Sequence, residues 1–424
     1  MNFKNQIPNK VKFIMDKIKN DLDCDSYIVG GAIRNLVLNK QPKDWDIATQ
    51  ATPEKISNIF EKTLLVGESF GTVIVVLDNE QFEITTFRKD GNYSDGRRPD
   101  NVEFTNNLKE DLSRRDFTIN AMAMGLNGEI IDYFNGIRDL KNKTISSVGN
   151  PRERLCEDKL RALRAIRFSS QYNLLIDSNL SNEIKKISLE NISKERIREE
   201  FNKILLSQNP RAGMYMLMSL NLLKFIIPEL IECYKFEQYN IHHHKDVFEH
   251  TVIVLNNIEA KLELRLAALF HDIGKPNVFT LDDNNNGHFY EHQKESSKIC
   301  REVMKRLKYS NREIDYVSEL VYYHMLSYEN LKPKSVKKFI DKVGIDKLDG
   351  LFKLQIADIT GSKPPFDFKN IYKLKFQCEK ILNEKQPLST KDLKINGKDL
   401  IAELKLKPSK TIGYILNNLL DLVL

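Results

Sequence analysis

The chain has 424 residues, of which 41% are hydrophobic and 29% are charged. This length predicts roughly two to four domains. No apolar stretch approaches the roughly 20 residues that a membrane-spanning helix needs, and the N-terminal residues lack the apolar core of a signal peptide. We therefore expect a cytoplasmic enzyme with no membrane partner.

Positive charge is concentrated at the C-terminal end. The whole chain has 65 Lys and Arg against 59 Asp and Glu, a formal net charge of +6, whereas residues 331–424 hold 19 Lys and 11 acidic residues, or 19 − 11 = +8. Such an end suits a polyanionic partner, although a solvated lysine-rich face gives the same composition.

Cysteine and histidine are distributed very differently. The five cysteines are scattered singly, which predicts reduced thiols instead of a disulfide framework or a zinc knuckle. All eight histidines lie between His242 and His324. This clustering predicts a metal site confined to one region.

A strand, a turn and a helix open the first module. Residues 26–29 are a short apolar run, Gly30-Gly31 follows, and residues 32–38 have helical character with Arg34 one turn in. The N–H groups at such a helix start suit an anion. Asp44-Trp45-Asp46 comes next. Side chains alternate along an extended segment, so the carboxylates of Asp44 and Asp46 are expected to point to the same side.

Two close carboxylates repel each other unless a divalent cation lies between them, and oxygen ligands suit Mg²⁺. A phosphate-binding turn beside such a pair is typical of metal-assisted nucleotidyl transfer. Either motif alone is common, and Asp-x-Asp is often a solvated turn. Glu83 is a candidate third carboxylate, or a surface residue of its strand.

Strand signals continue to about residue 132. Residues 71–77 and 82–87 are β-branched runs separated by a turn, which predicts a hairpin, and residues 129–132 fit another short strand. Segment 90–101 is rich in Gly, Asp, Asn and Pro and predicts a mobile loop. The first 140 residues are therefore predicted to be an α+β module with a small sheet.

From about residue 150 the pattern is helical nearly to the end. The predicted helices cover residues 153–172, 194–206, 212–224, 246–260, 262–272, 294–308, 311–325 and 335–343. Domain boundaries are expected near residues 140, 228 and 362.

Five motifs together resemble the class II CCA-adding enzymes and bacterial poly(A) polymerases. They are Gly30-Gly31-Ala32-Ile33-Arg34 with Asp44-Trp45-Asp46, residues 114–121 (Arg-Arg-Asp-Phe-Thr-Ile-Asn-Ala), residues 132–140, residues 157–168 and residues 195–197 (Glu-Arg-Ile). They occur in family order over about 170 residues. One departure is Asn35, where the family usually has Asp.

The resemblance implies an α+β fold, in which a small mixed-sheet, polymerase-beta-like head precedes an extended helical neck, HD and tail region. The implied domains are a nucleotidyltransferase head (1–140), a base-recognising neck (141–227), an HD metal-binding domain (228–361) and a basic RNA-binding tail (362–424). Asp44 and Asp46 would be catalytic and bind Mg²⁺. The implied nucleotide-binding residues are Gly30, Gly31, Arg34, Arg115, Asp116, Asn120, Asp158, Arg161, Arg164 and Arg167.

Asp158 and Arg161 are three residues apart in the predicted helix, so we expect an acceptor and a donor side by side. Cytosine and adenine offer an amino donor beside a ring-nitrogen acceptor, whereas uracil and guanine reverse that pattern. By resemblance the pair is the protein template that selects CTP and ATP; an ordinary salt bridge is the alternative. Loop 90–101 resembles the flexible loop of the family. Its Arg97 and Arg98 either belong to that loop's function or are simple solvent-exposed charges.

His250, His271, Asp272 and Asp358 reproduce the spacing of an HD-domain metal site, and His292 and His324 extend it to the two-metal pattern. Ligands from separate helices can hold an ion that keeps open positions for water. The resemblance implies a phosphohydrolase or cyclic phosphodiesterase acting on RNA ends. Ni, Mn, Co and Fe are not distinguished by these ligands. His242, His243 and His244 are a candidate surface run.

The expected activity is therefore the addition of CCA to the tRNA 3′ end from CTP and ATP. A poly(A) polymerase, an A-adding enzyme and a CC-adding enzyme share nearly all the motifs and remain alternatives. Another class of alternative is an HD phosphohydrolase whose N-terminal half only docks RNA, and a third is a non-catalytic RNA-binding module.

Overall fold

The computed structural model describes residues 2–65, 71–91, 93, 99–237, 245–326, 331–384, 387–388 and 390–423. The chain divides into two compact units, one formed by Met1–Ile204 with Tyr215–Phe225 and the other by Leu205–Met214 with Ile226–Leu424. The predicted positions Arg97, Arg98, His242, His243 and His244 lie outside the described residues. The finer division of the chain into four domains stays a prediction.

The first unit contains a mixed seven-stranded sheet. Its strands are β1 (Ser26–Val29), β2 (Ile47–Thr49), β3 (Thr63–Leu65), β4 (Thr72–Leu77), β5 (Glu80–Thr86), β8 (Ala123–Met124) and β9 (Ile130–Ile131), in the order β3-β4-β5-β2-β1-β8-β9. β2 and β5 are parallel and the other neighbours are antiparallel. The strand predicted at 26–29 is confirmed as β1, the hairpin predicted at 71–77 and 82–87 as β4 and β5, and the strand predicted at 129–132 as β9.

Short pairs of strands lie outside that sheet. β6 (Arg88–Asp90) pairs with β7 (Val102–Phe104), β10 (Thr144–Ile145) with β11 (Leu175–Ile176), and β12 (Thr280–Leu281) with β13 (Gly287–His288). β6 and β7 bracket most of the loop predicted at 90–101.

Alternation of side chains explains which face of the sheet is buried. Val73 and Val75 of β4 are buried, as are Phe82 and Ile84 of β5, whereas Glu83 between them is exposed. Strands place successive side chains on opposite faces, so this pattern directs the carboxylate of Glu83 away from the core. Burying each such apolar side chain contributes roughly 1.5–3 kcal/mol.

The helices of the first unit are α1 (Asn9–Leu22), α2 (Gly31–Val37), α3 (Pro53–Ile59), α4 (Leu108–Ser113), α5 (Gly136–Lys141), α6 (Pro151–Glu157), α7 (Arg161–Tyr172), α8 (Ser178–Ile184) and nearly all of α9 (Lys194–Leu205). The residues of α10 (Pro210–Ser219) are divided between the two units. The helix predicted at 32–38 is confirmed as α2.

The single helix predicted at 153–172 is wrong, because the structure has two helices there. Asp158 adopts an extended conformation, φ −146° and ψ 104°, between α6 and α7. Its side-chain oxygen Oδ1 accepts from the backbone N–H of Leu160 at 3.0 Å. Aspartate competes with helical hydrogen bonding in this way, which accounts for the interruption.

The second unit is predominantly helical in its described residues. Its helices are α11 (Val247–Asn257), α12 (Leu262–Phe270), α13 (His292–Arg306), α14 (Asn311–Tyr323), α15 (Pro333–Val343), α16 (Ile345–Gly361), α17 (Lys369–Asn383), α18 (Gly397–Leu404) and α19 (Lys410–Val423). The predicted helices at 246–260, 262–272, 294–308, 311–325 and 335–343 are confirmed with shifted ends. α11, α12, α14 and α16 pack against one another and contribute to the polar cluster described below.

Candidate active sites

The turn at Gly30 and Gly31 brings backbone and carboxylate together. Val29 donates its N–H to the carbonyl of Asp46 at 2.9 Å, so β1 and β2 hold Asp46 beside the turn. Gly30 has φ +71°, and a Cβ there would lie 3.2 Å from Arg115 Nη1 and 4.0 Å from Asp46 Oδ2. The positive φ favours glycine at this position, and a side chain there would also require a small shift of the Arg115 guanidinium.

Three carboxylates concentrate negative charge beside this turn. Ile47 and Ile84 are partners in the parallel β2–β5 pair, so Asp46 and Glu83 occupy neighbouring positions just before them. Burial first, and then the charge of Glu83, raise the pKa of Asp46 to about 6; Asp44 adds to the rise and Arg115 opposes it. Mutually repelling oxygen ligands of this kind fit a divalent cation such as Mg²⁺.

A cavity of about 620 Å³ opens at the same place. All ten residues predicted to bind the nucleotide line it, together with Asp46; Asp44 is exposed and lies outside the lining. The lining also includes residues that the sequence prediction missed, namely Arg88, Asp90, Tyr93, Pro99, Arg114, Leu160, Phe168 and Arg196. Eight arginines against four aspartates leave a positive surplus that suits a triphosphate.

Buried aspartates hold several of these arginines in place. Asp111 is fully buried and accepts from Arg114 at 2.7 Å and from Arg115 at 3.2 Å. Asp116 accepts from Arg164 Nε at 2.8 Å and from Asn120 Nδ2 at 2.9 Å. Burial alone would raise the pKa of Asp116, but the charge of Arg164 and these hydrogen bonds hold it well below its usual range.

Arg34 connects α2 to α7 in this unit. Its guanidinium carbon lies 4.9 Å from the ring centre of Phe168 and 4.6 Å from that of Tyr172. It donates to Asn120 Oδ1 and, at 2.8 Å, to the Tyr172 hydroxyl, which donates in turn to Asn35 Oδ1 at 3.1 Å. Position 35 therefore links two helices through a neutral hydrogen bond, which asparagine supports without a charge.

Asp158 and Arg161 were predicted to lie in one helix, whereas the structure places Asp158 in the break before α7 and Arg161 at the start of α7. Asp158 Oδ2 accepts from Arg196 Nη2 at 2.9 Å, whereas Arg161 Nη1 donates to Glu157 Oε2 at 2.5 Å and to the Arg154 carbonyl at 2.9 Å. The two side chains have different hydrogen-bond partners. Both nevertheless line the same cavity.

Arg164 and Arg167 were predicted to meet the triphosphate. Both line the cavity, and both also have carboxylate partners. Arg164 contacts Asp116, and Arg167 Nη1 donates to Glu200 Oε1 at 3.1 Å in a largely buried pair. Glu200 lies on α9, far along the chain, and carried no recognisable signal in the sequence.

A second polar cluster lies in the helical unit, and we call it the HD cluster: His250, His271, Asp272, His292, His324 and Asp358. His250 Nε2 lies 2.9 Å from Asp358 Oδ1 and 3.3 Å from His271 Nε2. His271 Nε2 lies 3.2 Å from Asp272 Oδ2. The structure thus brings together the four ligands predicted for this site.

Asp272 also belongs to a second triad through its other oxygen. Oδ1 lies 3.2 Å from His292 Nε2 and 3.8 Å from His324 Nε2, and these two nitrogens are 3.3 Å apart. Within the described residues, His250–His271–Asp272 and Asp272–His292–His324 are the groups whose ligand atoms could share a metal ion. The carboxylate of Asp272 is therefore placed between two candidate ion positions.

Backbone carbonyls orient three of these imidazoles. Nδ1 of His271, His292 and His324 lies 2.8, 3.0 and 2.7 Å from the carbonyl of the residue three before it. A carbonyl only accepts, so each Nδ1 carries the proton and Nε2 keeps its lone pair for a metal. Burial lowers the pKa of His324 to about 3, which keeps it neutral.

Lys275 was not predicted as a site residue. Its Nζ lies 2.7 Å from Asp272 Oδ2, and the residue is 5% exposed. A lysine this close to a ligand carboxylate adds a fixed positive charge where an anionic substrate would approach. The Gly274-Lys275-Pro276 sequence directly after the dipeptide was the available signal.

All five cysteines are free thiols, as predicted. Within the part of the chain that the structure describes, no helix is both long and apolar enough to cross a bilayer.

Three family models match the chain. Residues 26–146 match the poly A polymerase head domain, residues 173–233 the probable RNA- and SrmB-binding site of polymerase A, and residues 241–358 the HD domain. The nucleotidyltransferase and HD families are metal-dependent, in agreement with the two groups of ligands described above.

Relatives and solved structures cover nearly the whole chain. A CCA-adding enzyme of Ligilactobacillus salivarius is 37% identical over 421 residues, 98% of this chain and 91% of the relative. One from Enterococcus faecalis is 49% identical over 212 residues, 49% of this chain and 52% of the relative.

The crystal structure of a Bacillus stearothermophilus CCA-adding enzyme in complex with CTP has a TM-score of 0.74 at 25% identity, over 98% of this chain and 93% of that one. The predicted α+β fold with a small mixed sheet and a helical remainder is confirmed by this likeness. Because the similarity to the Ligilactobacillus enzyme extends over almost its entire length, the chain belongs to the family of CCA-adding enzymes.

Proposed function

We propose that this chain is a tRNA nucleotidyltransferase that adds C, C and A to the 3′ end of tRNA, using CTP and ATP. The observation that carries the proposal is the single cavity lined by Asp46, by eight arginines and by the base-reading candidates Asp158 and Arg161. A catalytic carboxylate, a triphosphate site and a base-selecting surface thus share one space. The CCA-adding relatives support the same conclusion.

Asp44 and Asp46 would hold Mg²⁺, with Glu83 near enough to contribute. When bound, Mg²⁺ would neutralise the triphosphate and lower the pKa of the attacking tRNA hydroxyl. The raised pKa of Asp46 comes first from burial and then from the charge of Glu83, and a nearby cation would favour the ionised carboxylate against both effects.

The arginine-rich wall would bind the triphosphate and sugar. Arg115 reaches the Gly30 turn and is fixed by buried Asp111, so it is oriented before the nucleotide arrives. Asp116 and Asn120, which are hydrogen-bonded to each other, would orient the sugar, while Arg34, Arg164 and Arg167 supply positive charge. Preorganised donors of this kind need little rearrangement during the reaction.

Asp158 and Arg161, which line the same cavity, would select the base. Each carboxylate oxygen of Asp158 accepts one described hydrogen bond and retains a second lone pair for the amino group of C or A. The described contacts of Arg161 use Nη1 twice and Nη2 once, leaving donors for the ring nitrogen. Uracil or guanine would leave these groups unpaired, at about 1–3 kcal/mol each.

The remaining domains would serve tRNA binding and a second activity. We propose residues 1–140 as the head, 141–227 as the neck, 228–361 as the HD domain and 362–424 as the tail. The 19 lysines of residues 331–424 would hold an RNA duplex through its phosphates, without reading sequence. That mode suits an enzyme acting on every tRNA.

Incorporation of labelled CTP and ATP into tRNA lacking its terminal trinucleotide tests the proposal. We expect CCA addition when both are present, its loss in Asp46→Ala, and its retention in His271→Ala. Addition of A residues alone to any RNA would identify a poly(A) polymerase, and addition of only A or only CC would identify a partial-specificity enzyme. Retention of activity in Asp46→Ala would overturn the site assignment.

We also propose that the HD cluster is a metal-dependent phosphohydrolase, acting on 2′,3′-cyclic or other phosphoester ends of RNA. The observation favouring it is the sharing of Asp272 between two triads whose histidines present Nε2. A bound ion, whether Ni, Mn, Co or Fe, would activate water. In hydrolysis, the water oxygen bonds to phosphorus, one ribose oxygen–phosphorus bond breaks, and the proton goes to the departing oxygen.

Reloading metal-free protein with each of these ions, and then assaying a 2′,3′-cyclic phosphate, tests the second activity. We expect hydrolysis in Asp46→Ala and none in His271→Ala. Hydrolysis that persists in His271→Ala would contradict the assignment. If hydrolysis were found without any nucleotide addition, the HD domain would be the principal activity.

A further inference from the structure

An exposed aromatic stack lies beside the HD cluster, and we call it the His288–Tyr290 platform. The two ring centres are 5.3 Å apart and the ring planes differ by 6°. His288 Nε2 lies 3.1 Å from Asp282 Oδ2, and Asp282 accepts backbone N–H groups from Asn284 and Asn286. One ring is therefore anchored, while Tyr290 is 71% exposed.

Phe289, between the two platform residues, connects the platform directly to the HD cluster. Its carbonyl accepts the backbone N–H of His292 at 3.2 Å and lies 3.0 Å from His292 Nδ1. Its ring centre lies 5.3 Å from Lys275 Nζ, which contacts Asp272. Tyr290 precedes the candidate ligand His292 by two residues, so their Cα atoms are at most about 7.6 Å apart.

A second exposed tyrosine lies two residues before His324, as Tyr290 lies two residues before His292. Tyr322 is 39% exposed and precedes His324 by two residues. Its ring packs edge-on against Tyr323, with centres 5.1 Å apart. Both histidines of the Asp272–His292–His324 triad are thus preceded by a tyrosine that reaches solvent.

A stacked pair with an open face is suited to a further flat ring. Nucleobases stack on exposed aromatic side chains without regard to sequence. We propose that the His288–Tyr290 platform binds the base of a nucleoside phosphoester whose phosphate reaches the HD cluster. This inference rests on the proposed phosphohydrolase function and adds to it the residues that would bind the base of the substrate.

The test compares a nucleoside 2′,3′-cyclic phosphate with glycerol 1,2-cyclic phosphate, which has the same reacting ring but no base. Loss of one base stack in Tyr290→Ala should raise KM for the nucleotide about 5- to 150-fold and leave the glycerol compound unchanged. Tyr290→Trp should restore the KM. The matched control is Phe13→Ala, since Phe13 is an aromatic residue that is 53% exposed on α1 in the other unit. An equal change for both compounds, or none, would overturn the proposal.

The two sources of the base are separated with an RNA oligonucleotide ending in a 2′,3′-cyclic phosphate. A KM increase for both the oligonucleotide and the mononucleotide assigns the platform to the base of the hydrolysed nucleotide. An increase confined to the oligonucleotide would place a neighbouring base of the RNA strand on the platform and would contradict the proposal, as would no increase for either substrate.

Amide hydrogen exchange gives a readout that does not depend on hydrolysis. A nucleoside 3′-phosphate should slow exchange in residues 285–295 of the wild-type chain, and Tyr290→Ala should abolish that protection. The measurement is local, so binding at the head cavity does not interfere. Protection without hydrolysis of any substrate would refute the phosphohydrolase and keep the platform; absence of protection would refute the platform itself.

Discussion

Replacing Asp158 by asparagine should weaken the rejection of UTP. In the structure Oδ2 accepts from Arg196 and Oδ1 accepts from the Leu160 N–H, so the carboxylate offers only acceptors to a base. An amide offers both an acceptor and a donor. In Asp158→Asn the Nδ2 group can donate to the carbonyl that uracil presents where cytosine has its amino group.

The size of the effect follows from the cost of an unpaired group. The wild-type carboxylate facing uracil leaves one acceptor and one carbonyl unpaired, at about 1–3 kcal/mol. At 1.36 kcal/mol per factor of ten, this corresponds to about 5- to 150-fold in selectivity. We therefore expect the ratio of kcat/KM for CTP to that for UTP to fall by this factor in Asp158→Asn.

Single-nucleotide incorporation into tRNA lacking its terminal trinucleotide, measured with each triphosphate alone, gives the ratio. Asp16→Asn is the matched control, because Asp16 is exposed on α1 in the same unit and does not line the cavity. The ratio should not change in the control. An Asp158→Asn enzyme that rejects UTP as strongly as the wild type would refute the role of Asp158 in base selection.

Three further predictions concern the head. First, burial and the charge of Glu83 raise the pKa of Asp46 to about 6, and Mg²⁺ binds the ionised carboxylate. The apparent Kd for Mg²⁺, measured by equilibrium titration, should therefore be about tenfold larger at pH 5 than at pH 8. The sign follows because protonation below the folded-state pKa competes with the cation; a pH-independent Kd would contradict it. Second, Gly30→Ala forces φ +71° on a residue with a Cβ. The free energy of unfolding in urea should therefore fall by about 1–2 kcal/mol, and nucleotide addition should be strongly reduced. Wild-type values of both would show that the turn tolerates a side chain. Third, Tyr172→Phe removes the hydroxyl that hydrogen-bonds to both Arg34 and Asn35. The unfolding midpoint temperature should therefore fall by an amount equivalent to about 1 kcal/mol. An unchanged midpoint would argue against the link between α2 and α7.

Local patterns were sufficient where neighbouring residues determine the structure. The apolar run before Gly30, the turn and the helix after it are all encoded within a dozen residues, and the hairpin of β4 and β5 is equally local. The HD cluster was also predicted, because its His-Asp dipeptide and spacing come from the family resemblance. The structure then brought the six candidate ligands together.

Partners from distant segments were beyond prediction. Arg196 contacts Asp158 across 38 residues and Glu200 contacts Arg167 across 33, and neither pairing leaves a periodic signal in the sequence. The helix break at Asp158 contains neither glycine nor proline, so the helical pattern appeared continuous. The structure shows the interruption through the Leu160 N–H, which donates to Asp158 Oδ1. Aspartate commonly makes this contact in turns.

A crystal structure of the chain with CTP and Mn²⁺ in place of Mg²⁺ tests the central claim most directly. We predict an ion on the carboxylate of Asp46, and a cytosine whose amino nitrogen lies about 3 Å from a carboxylate oxygen of Asp158. A CTP bound in the cavity with its base turned away from Asp158 and Arg161, or an ion that avoids Asp46, would contradict the account.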